Sequence, residues 1–186
     1  MKKLKKIILI IIFLIGFLII WNWLDNNDYF QADYKELTTE QELIFKWKDS
    51  DNENTLKERY RKHFVYNEFS FPRQNVAKVK LFENKPILGI LTSRTLKKIY
   101  NKDFVKFCND TTNYDWGETT WQTSESEYYF KLYNDKNKVV GKIYFCLDDC
   151  GMTSSTPFCP SMKFGGLSEK GQTKIEKLIN DKTNWE

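Results

Sequence analysis

Residues 128–147 read YYFKLYNDKNKVVGKIYFCL, and their pattern decides the fold. Tyr128, Phe130 and Leu132 alternate with Tyr129, Lys131 and Tyr133; Asn134 to Asn137 turns the chain; Ile143, Phe145 and Leu147 then alternate again. Extended backbone sends successive side chains to opposite faces. Two such runs about a short polar turn predict an antiparallel hairpin.

Working outward, Gly117 to Thr123, with Trp121, can supply a preceding strand and extend the hairpin to a meander. Further upstream, Ala77, Val79 and Leu81 alternate with Lys78 and Lys80, the pattern of a strand with one buried face, before Pro86 and Gly89 break the chain. Leu96, Ile99, Tyr100, Phe104 and Phe107 recur at mixed helical spacing and predict a helix over 96–108; the turn formers of 109–115 end it. Downstream, Gly151, Pro157, Pro160, Gly165 and Gly166 make 148–166 a loop, and Ser168 caps a last helix carrying Ile175, Leu178 and Ile179 on one face. Near the other end, Thr38 with Gln41 and Thr39 with Glu42 are overlapping capping boxes that predict a short helix over 39–48. Thr55 with Glu58 repeats the pattern, and Leu56, Tyr60 and Phe64 then fall at spacing four, with Lys57, Arg61 and Lys62 on the wet side. The expected architecture is α+β: an antiparallel meander of three to four strands packed with short helices.

The N-terminus reads differently. Ile7 to Trp21 is a run of fifteen residues without a polar side chain, extended by Trp23 and Leu24 past Asn22. Crossing the hydrocarbon takes roughly 17 to 25 apolar residues, and Lys5 and Lys6 can snorkel at one end while Trp21 and Trp23 suit the other interface. A cleaved signal peptide would start similarly, but cleavage favours small residues, and Ile19, Ile20, Trp21, Asn22 and Trp23 offer none. The expected organisation is a basic start and transmembrane anchor over 1–25, an acidic tether over 26–34 and one domain over 35–186. Four lysines precede the span and the first beyond it is Lys35. Basic residues are retained on the cytoplasmic side. The expected placement is therefore single-pass in the inner (plasma) membrane, with the N-terminus cytoplasmic and the domain periplasmic or extracellular.

The net charge of +4 is carried by Lys2, Lys3, Lys5 and Lys6; setting these aside with Asp25 and Asp28 leaves 25 basic and 23 acidic residues. That is no footprint for nucleic acid. Aromatic residues at 16% supply surface for a real core. The heavy use of Lys, Asn and Ile is that of an AT-rich bacterial genome.

Four cysteines, Cys108, Cys146, Cys150 and Cys159, read first as two disulfides outside the cytoplasm. Spacing cannot choose among three connectivities; Cys150 with Cys159 is favoured, leaving Cys108 and Cys146 to pair or stay reduced. A four-sulfur zinc site is the sharper alternative, but Cys146-x3-Cys150 lacks a second closely spaced pair, so no metal and no cofactor is assigned. His63, the single histidine, sits in a basic helical stretch and reads as an ordinary surface residue. Neither a nucleophile elbow, a phosphate-cradling loop nor a zincin motif occurs in the sequence. Carboxylate chemistry has weak candidates in Glu118, between Trp116 and Trp121, and in Asp148 and Asp149. The expected role is non-catalytic, binding a protein or envelope component through surfaces that include Trp116 and Trp121, with the lipid bilayer as the partner of the N-terminal helix. A small carboxylate hydrolase and a zinc-stabilised domain are the alternatives.

Overall fold

The computed structural model describes residues 2–26, 28, 31–46, 48, 50–64, 67–85, 92–115, 126–147, 153–159, 162 and 166–186. Five described strands form one antiparallel sheet: β1 (Lys78–Glu83), β2 (Arg94–Thr95), β3 (Tyr128–Tyr133), β4 (Val139–Phe145) and β5 (Thr153–Thr156), in the order β2-β1-β3-β4-β5. The hairpin is its centre, with Phe130 opposite Ile143 and Tyr128 opposite Phe145. Two features differ from the expected three- to four-stranded meander. The partner of β3 on its other side is β1, reached across the intervening helix, and β5 arises within the segment expected as loop. Thr153-Ser-Ser-Thr156 carries no apolar alternation because it is an edge strand: Thr153 is buried while Ser154 and Thr156 face solvent. The strand expected over 117–123 lies outside the described residues.

One face of the sheet makes the core. Val79 and Leu81 of β1, Phe130 and Leu132 of β3, and Val140, Ile143 and Phe145 of β4 pack against the helices. Phe130 lies at the middle, its ring 4.7 Å from Phe104, 5.6 Å from Phe145 and 6.4 Å from Trp185. Fully burying such a side chain contributes about 2–3 kcal/mol.

Helix α1 (Lys2–Asn26) is followed by α2 (Thr39–Leu43), α3 (Glu53–Phe64), α4 (Asn101–Asn109) and α5 (Glu169–Asn180). The Thr38 capping box forms in full, with Gln41 N donating to Thr38 Oγ1 at 3.2 Å and Thr38 N to Gln41 Oε1 at 2.9 Å. The helix is nonetheless shorter than expected, ending at Leu43 with Ile44 as its C-cap. α3 starts ahead of Thr55 because Asn52 is the stronger cap, its Oδ1 accepting from Thr55 N at 3.0 Å. α4 begins only at Asn101: Leu96 is drawn into a bridge with Trp185, and a 3₁₀ turn, Lys98–Tyr100, comes between. α5 follows expectation, with Ser168 Oγ accepting from Gly171 N at 3.1 Å and Ile175 and Ile179 buried. Gly171 is required by contact, since a Cβ there would meet Asn113 O at 2.1 Å.

Lys3–Trp21 of α1, with a mean hydropathy of 2.6 and none of it buried, is long and apolar enough to span a membrane.

Candidate functional site

The second face of the sheet was expected to be wet, at least along β1. It is largely covered. Cross-strand register stacks two rows there: Lys80, Lys131 and Lys142 in one, Phe82, Tyr129 and Tyr144 in the other. Lys131 is 0% exposed and Lys142 is also buried. Like charges directly opposite on neighbouring strands repel, and burying an ammonium costs several kcal/mol unless it is paired. The pairing comes from the segment just after α1. Asp28, 4% exposed, sets Oδ1 2.8 Å from Lys131 Nζ and Oδ2 3.7 Å from Lys142 Nζ. Tyr34 donates its hydroxyl to Oδ2 at 2.5 Å.

The aromatic row completes the setting. Phe82 and Tyr129 stack at 4.9 Å with rings 4° from parallel, and Tyr144 lies 5.4 Å from Tyr129. Lys131 Nζ stands over Phe82 at 5.4 Å, and Lys142 Nζ over Tyr129 and Tyr144 at 5.1 Å each. Negative ring faces offset part of the desolvation of both cations. Burial, then the hydrogen bond to Asp28, pushes the Tyr34 phenol far above its ordinary 10.0, so it is a donor at every working pH. Burial, then the Asp28 charge, pushes Tyr144 up as well.

Around this cluster the chain that follows α1 is strapped to the domain. Asp33 N donates to Val139 O and Val139 N to Gln31 O, both at 2.8 Å, giving a parallel bridge at the start of β4. Phe158 N donates to Glu36 Oε2 at 3.2 Å, Arg73 Nε to Lys35 O at 2.7 Å, and the Gln74 amide to Asp33 O. The cluster is buried, so it clamps the chain just after α1 onto the sheet and offers no room to a substrate. Its signal in the sequence was faint: Lys131 in a buried strand, and an acidic residue just beyond the helix.

A second feature is an open groove of about 670 Å³ between α2 and α3. Leu43 and Ile44 line it beside Lys48, Arg59, Lys62 and His63, with Glu58 the one acidic member among the described residues. Leu43 is 55% exposed. Arg59 is held by Asp51 at 2.7 Å. His63, expected at the surface, is half-buried, packing edge-on against Phe45 at 6.2 Å and Phe69 at 5.8 Å, because the aromatic pair behind α3 accommodates the ring.

The disulfide expected at Cys159 is corrected, whereas Cys108 is in one of its two expected states, buried and reduced. Cys108 and Cys159 are buried thiols. Cys108 lies on the buried face of α4, and Cys159 Sγ donates to its carbonyl at 3.9 Å, so the end of α4 is what Cys159 meets. Burial pushes the Cys108 thiol well above its ordinary 9.0. Cys146 is disulfide-bonded, and Cys150 lies outside the described residues. Among the described residues no His, Cys, Asp or Glu group is suited to a metal. Trp116, Glu118, Trp121, Asp148 and Asp149 all lie outside the described residues, so the carboxylate and aromatic candidates have no geometry here.

At the end of α4, the Asn109 amide donates to Phe71 O at 2.6 Å and Val105 O at 2.8 Å, and its oxygen accepts from Phe71 N at 2.8 Å. No protein-family model, curated protein or solved structure matches the chain.

Proposed function

We propose that this chain is a membrane-anchored, non-catalytic module that holds a folded domain against the outer surface of the inner membrane, where it binds a protein or envelope component. The supporting observation is one of connectivity. α1 ends at Asn26, and Asp28, two residues on, is already locked between Lys131 and Lys142. Two residues span at most about 7 Å, so the domain rides close to the end of the helix and has no stalk. An apolar helix with its lysines at the start favours a cytoplasmic N-terminus and an exported domain.

The groove between α2 and α3 is the described surface best suited to a partner. An apolar floor at Leu43 and Ile44 beside Lys48 and Lys62 complements a protein segment that carries apolar and acidic side chains. Crosslinking in intact cells followed by identification of the captured protein tests the reading. Leu43→Asp combined with Lys62→Glu should abolish the crosslink while leaving the chain in the membrane. An undiminished crosslink from that variant removes the groove from the proposal, and recovery of the native chain in the soluble fraction removes the anchor.

A further inference from the structure

Cys108 and Cys159 are distant in sequence yet share one small volume of the core. α4 is amphipathic, with Phe104 and Cys108 on its buried face, so the thiol of Cys108 enters the core at the last turn. After β5 the chain turns back at Pro157 and delivers Cys159 to that same turn, 1% exposed, with Sγ 3.9 Å from Cys108 O. Arg73 fixes the neighbouring backbone. Its Nη2 donates to Phe158 O at 2.8 Å and its Nη1 to Ser70 O at 3.3 Å, and its positive charge acts on Cys159. A fixed cation beside a sulfur favours the thiolate, which is the reactive form.

We infer that Cys108 and Cys159 are a dithiol that closes to a disulfide by exchange with a disulfide-bonded oxidant, with Cys159 attacking and Cys108 resolving. The thiolate of Cys159 displaces one sulfur of the oxidant and forms a mixed disulfide; the first leaving thiolate takes up the proton that Cys159 released. Cys108 then attacks the Cys159 sulfur, giving up the proton that burial holds on it, and the second oxidant sulfur leaves and takes that proton. Two electrons and two protons pass to the oxidant, which ends as two thiols, and one bond joins α4 to the loop after β5. Cys159 is assigned the first step because it lies on irregular chain, which opens locally more readily than a helix turn. In the cell this chemistry rests on the exported placement proposed above, since the cytoplasm keeps such pairs reduced. In vitro it does not.

The test uses full-length protein in detergent, reduced and then exposed to oxidised glutathione, quenched with acid, unfolded, alkylated and mapped by peptide mass. The expected product joins the Cys108 and Cys159 peptides and is two hydrogens lighter than their sum. Cys108→Ser should trap glutathione on residue 159, a product that a merely structural thiol would not give, and Arg73→Gln should slow formation of the bridge about tenfold. Both thiols fully alkylated after oxidation, or either linked to another cysteine, overturns the inference. A bridge formed in vitro but absent from membranes of growing cells supports the pair and counts against the exported placement, so the two failures are told apart.

Discussion

Asp28→Asn is the substitution that isolates the clamp. Asp28 has a left-handed backbone (φ 52°), which asparagine tolerates as well as aspartate, and the amide oxygen can still accept from Tyr34, so the change removes the charge alone. What is lost is the carboxylate 2.8 Å from Lys131 and 3.7 Å from Lys142. Removing one partner of a buried ion pair costs about 3–5 kcal/mol, because the remaining charge stays desolvated. Here the cation–π contacts of both lysines persist, and the lower end, about 3 kcal/mol, is expected. For a chain of this size that lowers Tm by roughly 6–12 °C. Thermal unfolding of the detergent-solubilised protein, followed by near-ultraviolet circular dichroism of the aromatic row, measures it. Asp33→Asn, on the exposed strap beside it, should stay within about 0.5 kcal/mol and serves as the control. Combining Asp28→Asn with Lys131→Met and Lys142→Met should recover much of the loss, since no buried charge is left unpaired while the left-handed backbone and the Tyr34 hydrogen bond are kept. A Tm for Asp28→Asn within about 2 °C of the native value would refute the clamp.

Gly171→Ala forces a Cβ to within 2.1 Å of the Asn113 carbonyl oxygen, so α5 must shift; a loss of about 3 kcal/mol in urea unfolding is expected. Asn109→Ala strands the Phe71 backbone, which it serves as both donor and acceptor, and should cost about 2 kcal/mol by the same measurement. The reduced protein should weaken in alkali. The Cys108 thiol is raised in the fold, so its contribution is complete below its ordinary 9.0 and fades as pH rises above that value; the unfolded chain ionises first. A loss of about 1 kcal/mol over the first pH unit above 9.0 should disappear in Cys108→Ala, before tyrosines such as Tyr114, whose ordinary value is 10.0, contribute in full.

How much of this was legible depended on whether a local signal acted alone. The hairpin over 128–145 and the Ser168 cap were readable because alternation and capping are properties of neighbouring residues. The Thr38 box was readable for the same reason, but its helix was overextended, because the length of α2 is set by packing and not by the cap. β5 was missed since Thr153-Ser-Ser-Thr156 has no apolar rhythm and is defined by the edge it pairs with. The charge cluster was hidden most deeply. Lys131 and Lys142 alternate as a wet face should, and their burial follows from Asp28, about a hundred residues away, which no spacing rule connects to them. Cys159 deceived by sequence proximity: the short spacing to Cys150 suggested a bridge, whereas its thiol packs against the end of α4, 51 residues away in the chain.

Paired reporter fusions after Glu186, one active only outside the cytoplasm and one only within it, interrogate the anchored, exported domain most directly. With fractionation of the same cells, the account predicts membrane-bound chain, a working exterior reporter and a silent interior one. Soluble protein, or activity of the interior reporter alone, would contradict it.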